Sequence, residues 1–299
     1  INPEVVVEFT AEQDGVFCGI NEVKTLLGRV LPETGREVWA LDEGVSVAGG
    51  EVALRIRAPY ASFGLFETAI LGTLASCTGW ATAAAECVEA GDGIPVICYG
   101  ARHVHPSVVG VMDYSAVIGK CASGSSVVGQ QLHGLTPSGT MPHSLVLLMG
   151  DTVRSTMAFD KHMPPEVPRV ALVDTFKDEA EEALDVAKAL RERLRGIRLD
   201  TPRERGGVTP ELVHEIRARL DQAGHSYVDI FVSGGITPDR IREFVQASAP
   251  VSVFAVGYYI ASASPISFTA DIKEIEGNAV AKRGRIPGLS VNPRLSQVL

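Results

Sequence analysis

From residue 170 to residue 257 the sequence repeats one unit, a short apolar strand followed by an amphipathic helix. A strand that is followed by a covering helix returns to the same sheet in parallel, so the repeat predicts a parallel sheet. Three earlier stretches, residues 97–102, 116–120 and 136–141, bring the strand candidates to about seven, one fewer than a closed barrel contains. We therefore expect an incomplete parallel α/β barrel over residues 95–264.

The N-terminal part of the chain has a different pattern. Residues 3–59 contain short stretches of alternating apolar and polar residues separated by Gly and Pro, which predicts an antiparallel sheet. Residues 62–90 carry apolar side chains at helical spacing on either side of Gly79, which indicates two helices. The predicted fold class is α/β with an α+β part, in which a sandwich-like antiparallel-sheet domain of residues 1–94 and 265–299 accompanies the barrel.

The composition of the chain excludes several classes of protein. The 299 residues are 45% apolar and 21% charged and carry a formal net charge of −9, which predicts a globular chain without a nucleic-acid partner. No apolar run reaches the roughly 18 to 20 residues that span a bilayer, so no membrane partner is expected. The odd number of cysteines, with no C-x-x-C pair, indicates free thiols in the cytoplasm. The chain begins without Met, so we expect a further segment before Ile1.

Small, polar or charged residues follow most of the predicted strands. Because parallel strands end at the same edge of a sheet, these residues are expected to line one ligand-binding mouth. The candidates are Arg102, His103, Thr140, His143, Asp174, Arg198, Asp200, Ser233, Gly234, Gly235 and Gly257.

The stretch Ser233–Pro238 has the composition of a phosphate-binding turn. Its glycines permit close backbone approach, Thr237 can cap a helix that begins at Pro238, and free amides at a helix start attract anions. Gly257 ends the next strand, and barrels commonly bind phosphate with the loops after their last two strands. The alternative is that the glycines only satisfy a tight strand-to-helix connection.

Asp174 and Asp200 end strands in successive units. Two carboxylates there could bind ribose hydroxyls or the Mg²⁺ that accompanies a pyrophosphate, although each could instead cap a helix. Arg102 could clasp a carboxylate or pyrophosphate, and a surface ion pair is its alternative. His103 lies beside it without a Cys, Asp or Glu at ligand spacing, so we expect no metal centre built by the protein alone.

His143 stands before an apolar helix in the stretch G-T-M-P-H-S. A single His in that position is more often a cap or a core residue than a catalyst. The preceding residues Gly139 and Thr140 could provide a second group of backbone amides that binds an anion.

With these segments in order, the chain resembles the nicotinate phosphoribosyltransferase family, in particular its compact archaeal and bacterial branch. The resemblance runs along nearly the whole chain through the stretches ALDEGVSVAGGEVALRIRAPY, ETAILGTLAS, YGARHVHP, MDYSAVIG, GTMPHS, LVDTFKDE, IRLDTPRERGG, IFVSGGI and PISFTADI. It implies a type II phosphoribosyltransferase fold in a homodimer or higher homo-oligomer. The implied reaction joins nicotinate to the ribose of phosphoribosyl pyrophosphate (PRPP) with Mg²⁺, in NAD biosynthesis.

The resemblance also implies residue roles. His143 matches the family histidine that is phosphorylated when ATP hydrolysis is coupled to the reaction, so ATP is an expected co-substrate. Asp174 and Asp200 would lie on the ribose side, and Arg102 would contact nicotinate or pyrophosphate. The 5′-phosphate would bind Ser233, Gly234, Gly235 and Gly257.

Three other functions remain open at this point. Quinolinate phosphoribosyltransferase uses PRPP too, but its dicarboxylate substrate should require more cations than Arg102 alone near the first barrel strand. A non-catalytic relative could bind nucleotide without turnover. An aldolase or isomerase would need a Lys or Glu at a strand end, for which Lys120 is the only Lys candidate.

Overall fold

The computed structural model describes residues 2–134 and 141–299. Its contacts divide the chain into two compact units, the first made of Ile1–Ala85, Ser115–Lys120 and Ser262–Leu299, and the second of Glu86–Tyr114 and Cys121–Ala261. The division differs from the predicted domains mainly in residues 86–94, which join the second unit, and residues 115–120, which join the first.

The first unit is built on a six-stranded antiparallel sheet with the order β12-β11-β1-β5-β3-β13, and a short β2-β4 pair accompanies it. The strands are β1 Glu4–Ala11, β2 Gly15–Val16, β3 Glu37–Ala40, β4 Ser46–Val47, β5 Val52–Pro59, β11 Phe268–Ile275, β12 Asn278–Ala279 and β13 Ser296–Gln297. The antiparallel sheet predicted for residues 3–59 is therefore present, and the C-terminal residues return to it as expected.

Alternation along β5 separates its two faces. Leu54 and Ile56 are fully buried in the core of the first unit, whereas Arg55 lies opposite Glu8 of β1 on the other face. The guanidinium of Arg55 lies 2.6 Å from the Glu8 carboxylate, whose side chain is only 2% exposed. Glu8 also accepts a hydrogen bond from the backbone N–H of Ser290, which holds the C-terminal residues against the sheet.

A helix that the strand pattern did not predict, α1 Ile20–Val30, interrupts the N-terminal strands. It buries Ile20, Val23 and Leu27, and this spacing of three and four residues is the stripe of an amphipathic helix. The prediction of strands alone for residues 3–59 was wrong here, because an apolar stripe this short is easily overlooked between strands.

The two helices predicted around Gly79 are one continuous helix, α3 Glu67–Ala90, preceded by the short α2 Tyr60–Phe63. Gly79 lies inside α3, where a Cβ would come within 2.4 Å of the carbonyl oxygen of Ser264. The glycine therefore permits close approach of a neighbouring backbone and does not end the helix.

The second unit contains a five-stranded parallel sheet with the order β6-β10-β9-β8-β7. Its strands are β6 Val96–Cys98, β7 Val170–Leu172, β8 Gly196–Leu199, β9 Asp229–Val232 and β10 Val253–Val256. The helices that follow α3 are α4 Val109–Ile118, α5 Val127–Leu132, α6 His143–Met149, α7 Thr152–His162, α8 Glu179–Leu190, α9 Pro210–Gln222, α10 Pro238–Gln246 and α11 Tyr258–Ala261. The antiparallel sheet of the first unit and the parallel sheet of the second confirm the predicted fold class.

Two of the seven predicted barrel strands are not found as predicted. Residues 116–118 end helix α4, in which Met112 and Ala116 are buried one turn apart, so an apolar run of helical spacing was read as a strand. The stretch 136–141 lies outside the described residues except for Met141. An isolated parallel bridge between Ile97 and Ser123 continues the sheet beyond β6.

None of the helices in the described ranges combines the length and apolar character needed to cross a lipid bilayer. The predicted homo-oligomer stays a prediction.

Two glycines of α3 provide a matched test of its packing. A Cβ at Gly72 would meet no described atom within 4 Å, so Gly72→Ala should raise the free energy of unfolding by about 0.5–1 kcal/mol through helix propensity. Gly79→Ala should lower it by about 1–3 kcal/mol because the new methyl group overlaps a backbone carbonyl. Urea unfolding measures both variants, and a more stable Gly79→Ala protein would contradict the close approach.

Candidate functional site

The carboxyl edge of the parallel sheet collects polar side chains from several loops. Strands β7, β8, β9 and β10 run in the same direction, so the residues that follow them meet at one edge. The loops after β7, β8 and β9 contribute Asp174, Asp200 and Ser233, and Arg198 lies in β8 itself.

Arg198 is the centre of this edge and is only 8% exposed. One guanidinium nitrogen donates to the Ser233 hydroxyl at 3.2 Å, and another donates to the Met141 carbonyl at 2.9 Å. The Asp200 carboxylate lies 3.6 Å away, and the guanidinium carbon is 5.8 Å from the centre of the Tyr99 ring. The buried charge is thus paired, hydrogen-bonded and placed over an aromatic face.

His143 lies between the two predicted carboxylates. Its Nε2 is 3.1 Å from Asp174 Oδ1, and its Nδ1 is 4.0 Å from Asp200 Oδ2. The Asp174 side chain is 1% exposed, whereas that of His143 is 41% exposed. Asp174 is therefore covered, and the imidazole faces outwards where a ligand can reach it.

The pKa of the Asp174 carboxyl is raised above its usual value. Burial is the main cause and Asp200 adds to it, while His143 and Arg198 act in the opposite direction. Two neighbouring carboxylates, of which Asp174 is buried, favour a proton or a cation between them.

The Ser233–Gly235 turn has the backbone of an anion-binding loop. Gly234 and Gly235 adopt φ of 86° and 65°, which glycine reaches without strain. A Cβ at Gly234 would lie 2.9 Å from an oxygen of Asp200, so the turn approaches that carboxylate closely. Helix α10 follows, and the Thr237 hydroxyl caps it by accepting the N–H of Arg240 at 3.3 Å, as the sequence predicted.

The predicted residues after β6 and β10 form a second group. Arg102 and His103 lie on a short 3-10 helix after β6 and are both exposed. A Cβ at Gly257 would be 3.2 Å from His103 Nε2, and the His103 ring meets Tyr258 edge-on at 5.6 Å. Partial desolvation of the imidazole and the charge of the adjacent Arg102 lower the pKa of His103.

A buried carboxylate positions this second group. Asp113 is fully buried in α4 and accepts the backbone N–H of Ser126 at 2.6 Å and the Ser125 hydroxyl at 3.5 Å. The Ser125 hydroxyl in turn accepts the N–H of Ala101, next to Arg102, at 3.1 Å. Through these bonds Asp113 holds the start of the turn that carries Arg102.

The structure brings five predicted residues into one connected cluster and adds others. The cluster consists of His143, Asp174, Arg198, Asp200 and Ser233. Thr140 lies outside the described residues. Sequence reasoning missed Tyr99, although it stands three residues before Arg102 in the same strand-end segment, and it missed Asp113, which the pattern of α4 does not distinguish from a surface acid.

The capping alternatives can now be resolved. Asp178, and not Asp174, caps α8 by accepting the N–H of Ala180 and Glu181. His143 is the first residue of α6 and its side chain makes no capping hydrogen bond. Asp174 and His143 are bonded to each other instead, and for Arg102 no ion pair is found in the part of the chain that the structure describes.

Fold and site together define a class of protein, a parallel α/β domain with a candidate ligand site at the carboxyl edge of its sheet. Comparison with known proteins narrows this class. The chain matches two family profiles, described as the quinolinate phosphoribosyl transferase N-terminal domain over residues 1–78 and C-terminal domain over residues 80–271. The chain belongs to the quinolinate phosphoribosyl transferase family.

Individual relatives carry two kinds of name. The solved nicotinate-nucleotide pyrophosphorylase of Pyrococcus furiosus is 40% identical, with a TM-score of 0.88 over 97% of this chain and 74% of that one. A probable carboxylating nicotinate-nucleotide pyrophosphorylase of Archaeoglobus fulgidus is 26% identical over 89% of this chain and 93% of its own length. A nicotinate phosphoribosyltransferase of Mycobacterium tuberculosis is 32% identical over 74% of this chain, which spans 47% of that relative.

The expectation of a nicotinate phosphoribosyltransferase was wrong. Both quinolinate family domains match in order along the chain, and the Pyrococcus and Archaeoglobus pyrophosphorylases match over most of their own length. The mycobacterial nicotinate enzyme is matched over only about half of its length. ATP coupling was inferred from the nicotinate assignment and is withdrawn with it.

Asp174→Asn tests the charge at this site. An acid whose folded pKa lies above its unfolded value destabilises the folded protein once it is ionised, because the unfolded chain ionises more easily. The variant should therefore gain stability relative to the parent as pH rises from about 4, the ordinary value for Asp, through the raised pKa. The gain should then level off.

Urea unfolding of both proteins between about pH 4 and pH 8 measures this difference. Asp239→Asn, at a carboxylate whose side chain is 94% exposed on α10, controls for the loss of one negative charge. If the stability advantage of Asp174→Asn over the parent instead grew towards acid pH, the raised pKa of Asp174 would be contradicted.

Proposed function

We propose that this protein is a quinolinate phosphoribosyltransferase, which joins quinolinate to PRPP and releases pyrophosphate and CO₂ to leave nicotinate mononucleotide. The observation that carries the proposal is the cluster of His143, Asp174, Arg198 and Asp200 beside the Ser233–Gly235 turn. It lies in a chain that both quinolinate family domains match. A carboxylating nicotinate-nucleotide pyrophosphorylase, the name of the Archaeoglobus relative, catalyses the same reaction written in reverse.

The Ser233–Gly235 turn suits the 5′-phosphate of PRPP. Its left-handed glycines expose backbone amides ahead of helix α10, whose N-terminus favours an anion. We assign the other side of the phosphate site to Gly257, the residue after β10, because β10 is paired with β9. Asp200 approaches Gly234, so a ribose attached to the phosphate would extend towards the two carboxylates.

Asp174 and Asp200 suit the developing charge at the ribose. Cleavage of the bond between ribose C1 and pyrophosphate builds positive oxocarbenium character, which fixed carboxylates stabilise more in the transition state than in the ground state. The Arg198 guanidinium lies 3.6 Å from Asp200, and we assign to it the stabilisation of the departing pyrophosphate. Positioning and charge, rather than a covalent nucleophile, perform this step.

The donor set also fits Mg²⁺. This ion prefers one or two carboxylates together with substrate phosphate oxygens. Burial raises the pKa of Asp174 and the neighbouring Asp200 adds to it, so a cation at the two acids would be favourable. Asp174 and Asp200 would hold Mg²⁺, which would supply positive charge to the pyrophosphate. The protein residues orient the substrate around it.

The pyridine ring carries two carboxylates in quinolinate. Arg102 is exposed and can clasp one of them in a bidentate manner, and His103 stands beside it. Once the ring nitrogen bears the ribose, its positive charge stabilises the carbanion left when CO₂ departs from C2. That carbon then gains a proton, which we assign to His143 because histidine transfers protons near neutral pH and this imidazole faces outwards.

The substrate assignment is tested by turnover with PRPP and Mg²⁺ and either quinolinate or nicotinate. Quinolinate should give nicotinate mononucleotide and one CO₂ per turnover, with kcat/KM at least about 100-fold above that for nicotinate, since a site built for a polar group discriminates strongly against its absence. Chromatography of the nucleotide and release of labelled CO₂ measure the two products. Product from nicotinate alone would overturn the assignment, and PRPP binding without any product would favour a non-catalytic relative.

Arg198→Lys should lower kcat/KM for quinolinate by at least about 100-fold, because lysine cannot bond the Ser233 hydroxyl and the Met141 carbonyl while facing Asp200. Arg219→Lys, on the surface of α9 where Arg219 pairs with Glu215, is the matched control and should retain activity. Steady-state kinetics, with the urea midpoint recorded for both variants, separate a catalytic loss from unfolding. Full activity in Arg198→Lys would contradict the role of the guanidinium.

A further inference from the structure

Glu182 of helix α8 is a carboxylate that the proposed chemistry does not use. It is 2% exposed and accepts the backbone N–H groups of Thr175, Phe176 and Lys177 at 3.2, 2.9 and 3.2 Å. It also accepts the Thr152 hydroxyl at 2.8 Å. Three consecutive amides of the loop after β7 are therefore bonded to one side chain.

Glu179 is bonded to the next loop, in this case through side chains. It is 1% exposed and accepts the Thr201 hydroxyl at 2.8 Å. Both guanidinium ends of Arg205 donate to it, at 3.1 and 3.2 Å. Thr201 and Arg205 belong to the segment that follows Asp200.

The two glutamates share the first turn of α8, three residues apart, and therefore lie on one helix face. The loop held by Glu182 begins at the residue after Asp174, and the segment held by Glu179 begins at the residue after Asp200. One helical turn is thus bonded to the backbone that follows Asp174 and to two side chains of the segment that follows Asp200.

We propose that Glu182 and Glu179 are positioning residues that set the spacing of Asp174 and Asp200, and so control the transition-state stabilisation by these two carboxylates. The proposal rests on the proposed phosphoribosyl transfer. Carboxylates are suited to this task because an ionised oxygen accepts several N–H groups at once and makes stronger hydrogen bonds than an amide oxygen.

The role predicts a specific kinetic pattern. A shift of about 1 Å in a reacting group costs on the order of 100-fold in rate, so Glu182→Ala should lower kcat by about 100-fold and leave KM for PRPP within about threefold. Glu182→Gln keeps one acceptor oxygen but places an NH₂ group against an N–H donor, so it should lose about tenfold. Glu181→Gln is the matched control, since Glu181 lies on the same helix and pairs with Lys177 at the surface.

A double-mutant comparison separates positioning from general stability. If Glu182 acts through Asp174, Glu182→Gln should lower the residual rate of Asp174→Asn by less than about twofold. If Glu182→Gln lowered kcat by the full tenfold in the Asp174→Asn background as well, the two effects would be independent and the proposal would be overturned. Unchanged kcat in both Glu182 variants of an active enzyme would overturn it too.

Hydrogen exchange provides a measurement that needs no activity. The amides of Thr175, Phe176 and Lys177 should exchange at least about tenfold faster in Glu182→Gln, with α9 protection unchanged. If the parent protein shows no transferase activity, the proposed function fails, and the exchange measurement alone decides whether Glu182 holds the loop. Unchanged exchange at these three amides would overturn the positioning role in either case.

Discussion

The candidate site depends on the neutralisation of one buried cation. An uncompensated guanidinium in the position of Arg198 would cost several kcal/mol, so the surrounding loops must supply its partners together. Asp200 comes from the loop after β8, Ser233 from the loop after β9, and Tyr99 from the segment after β6. A single charge therefore ties three loops of the second unit into one arrangement, and the same loops carry the groups proposed to bind the ribose and its phosphate.

The charge balance around Arg198 supports the proposed use of Mg²⁺ with an anionic substrate. Arg198 compensates Asp200, and His143 lies against Asp174, whose pKa burial still raises. The carboxylates alone would repel a pyrophosphate, and Mg²⁺ held by Asp174 and Asp200 would supply the compensating positive charge. The backbone amides of the Ser233–Gly235 turn are uncharged donors. In the proposed arrangement the carboxylates face the ribose and these neutral donors bind its 5′-phosphate.

Much of this site could be predicted because the rule behind it is local. In a parallel sheet a residue after a strand lies at the binding edge whatever the rest of the chain does, which is why Asp174, Asp200 and Ser233 were found. Contacts between distant segments could not be predicted, and the placement of Arg198 over Tyr99 is one of them. Gly79 shows the same limit, since the reason for a glycine inside this continuous helix is the nearby carbonyl of residue 264. Residues 116–118 were misread because a short apolar run does not distinguish a buried helix from a strand.

The wrong preference for nicotinate over quinolinate has a physical cause. Quinolinate was disfavoured because Arg102 is the only Arg near the first barrel strand, an argument that assumed a pocket built from one segment. A parallel sheet draws its ligand contacts from all its strand ends. Arg198 reaches the Tyr99 ring although it stands in β8, and His103 lies against Gly257 after β10. The number of cations in one stretch of sequence therefore sets no upper limit on the charge that such a site can bind, and a dicarboxylate can be held by groups far apart in the chain.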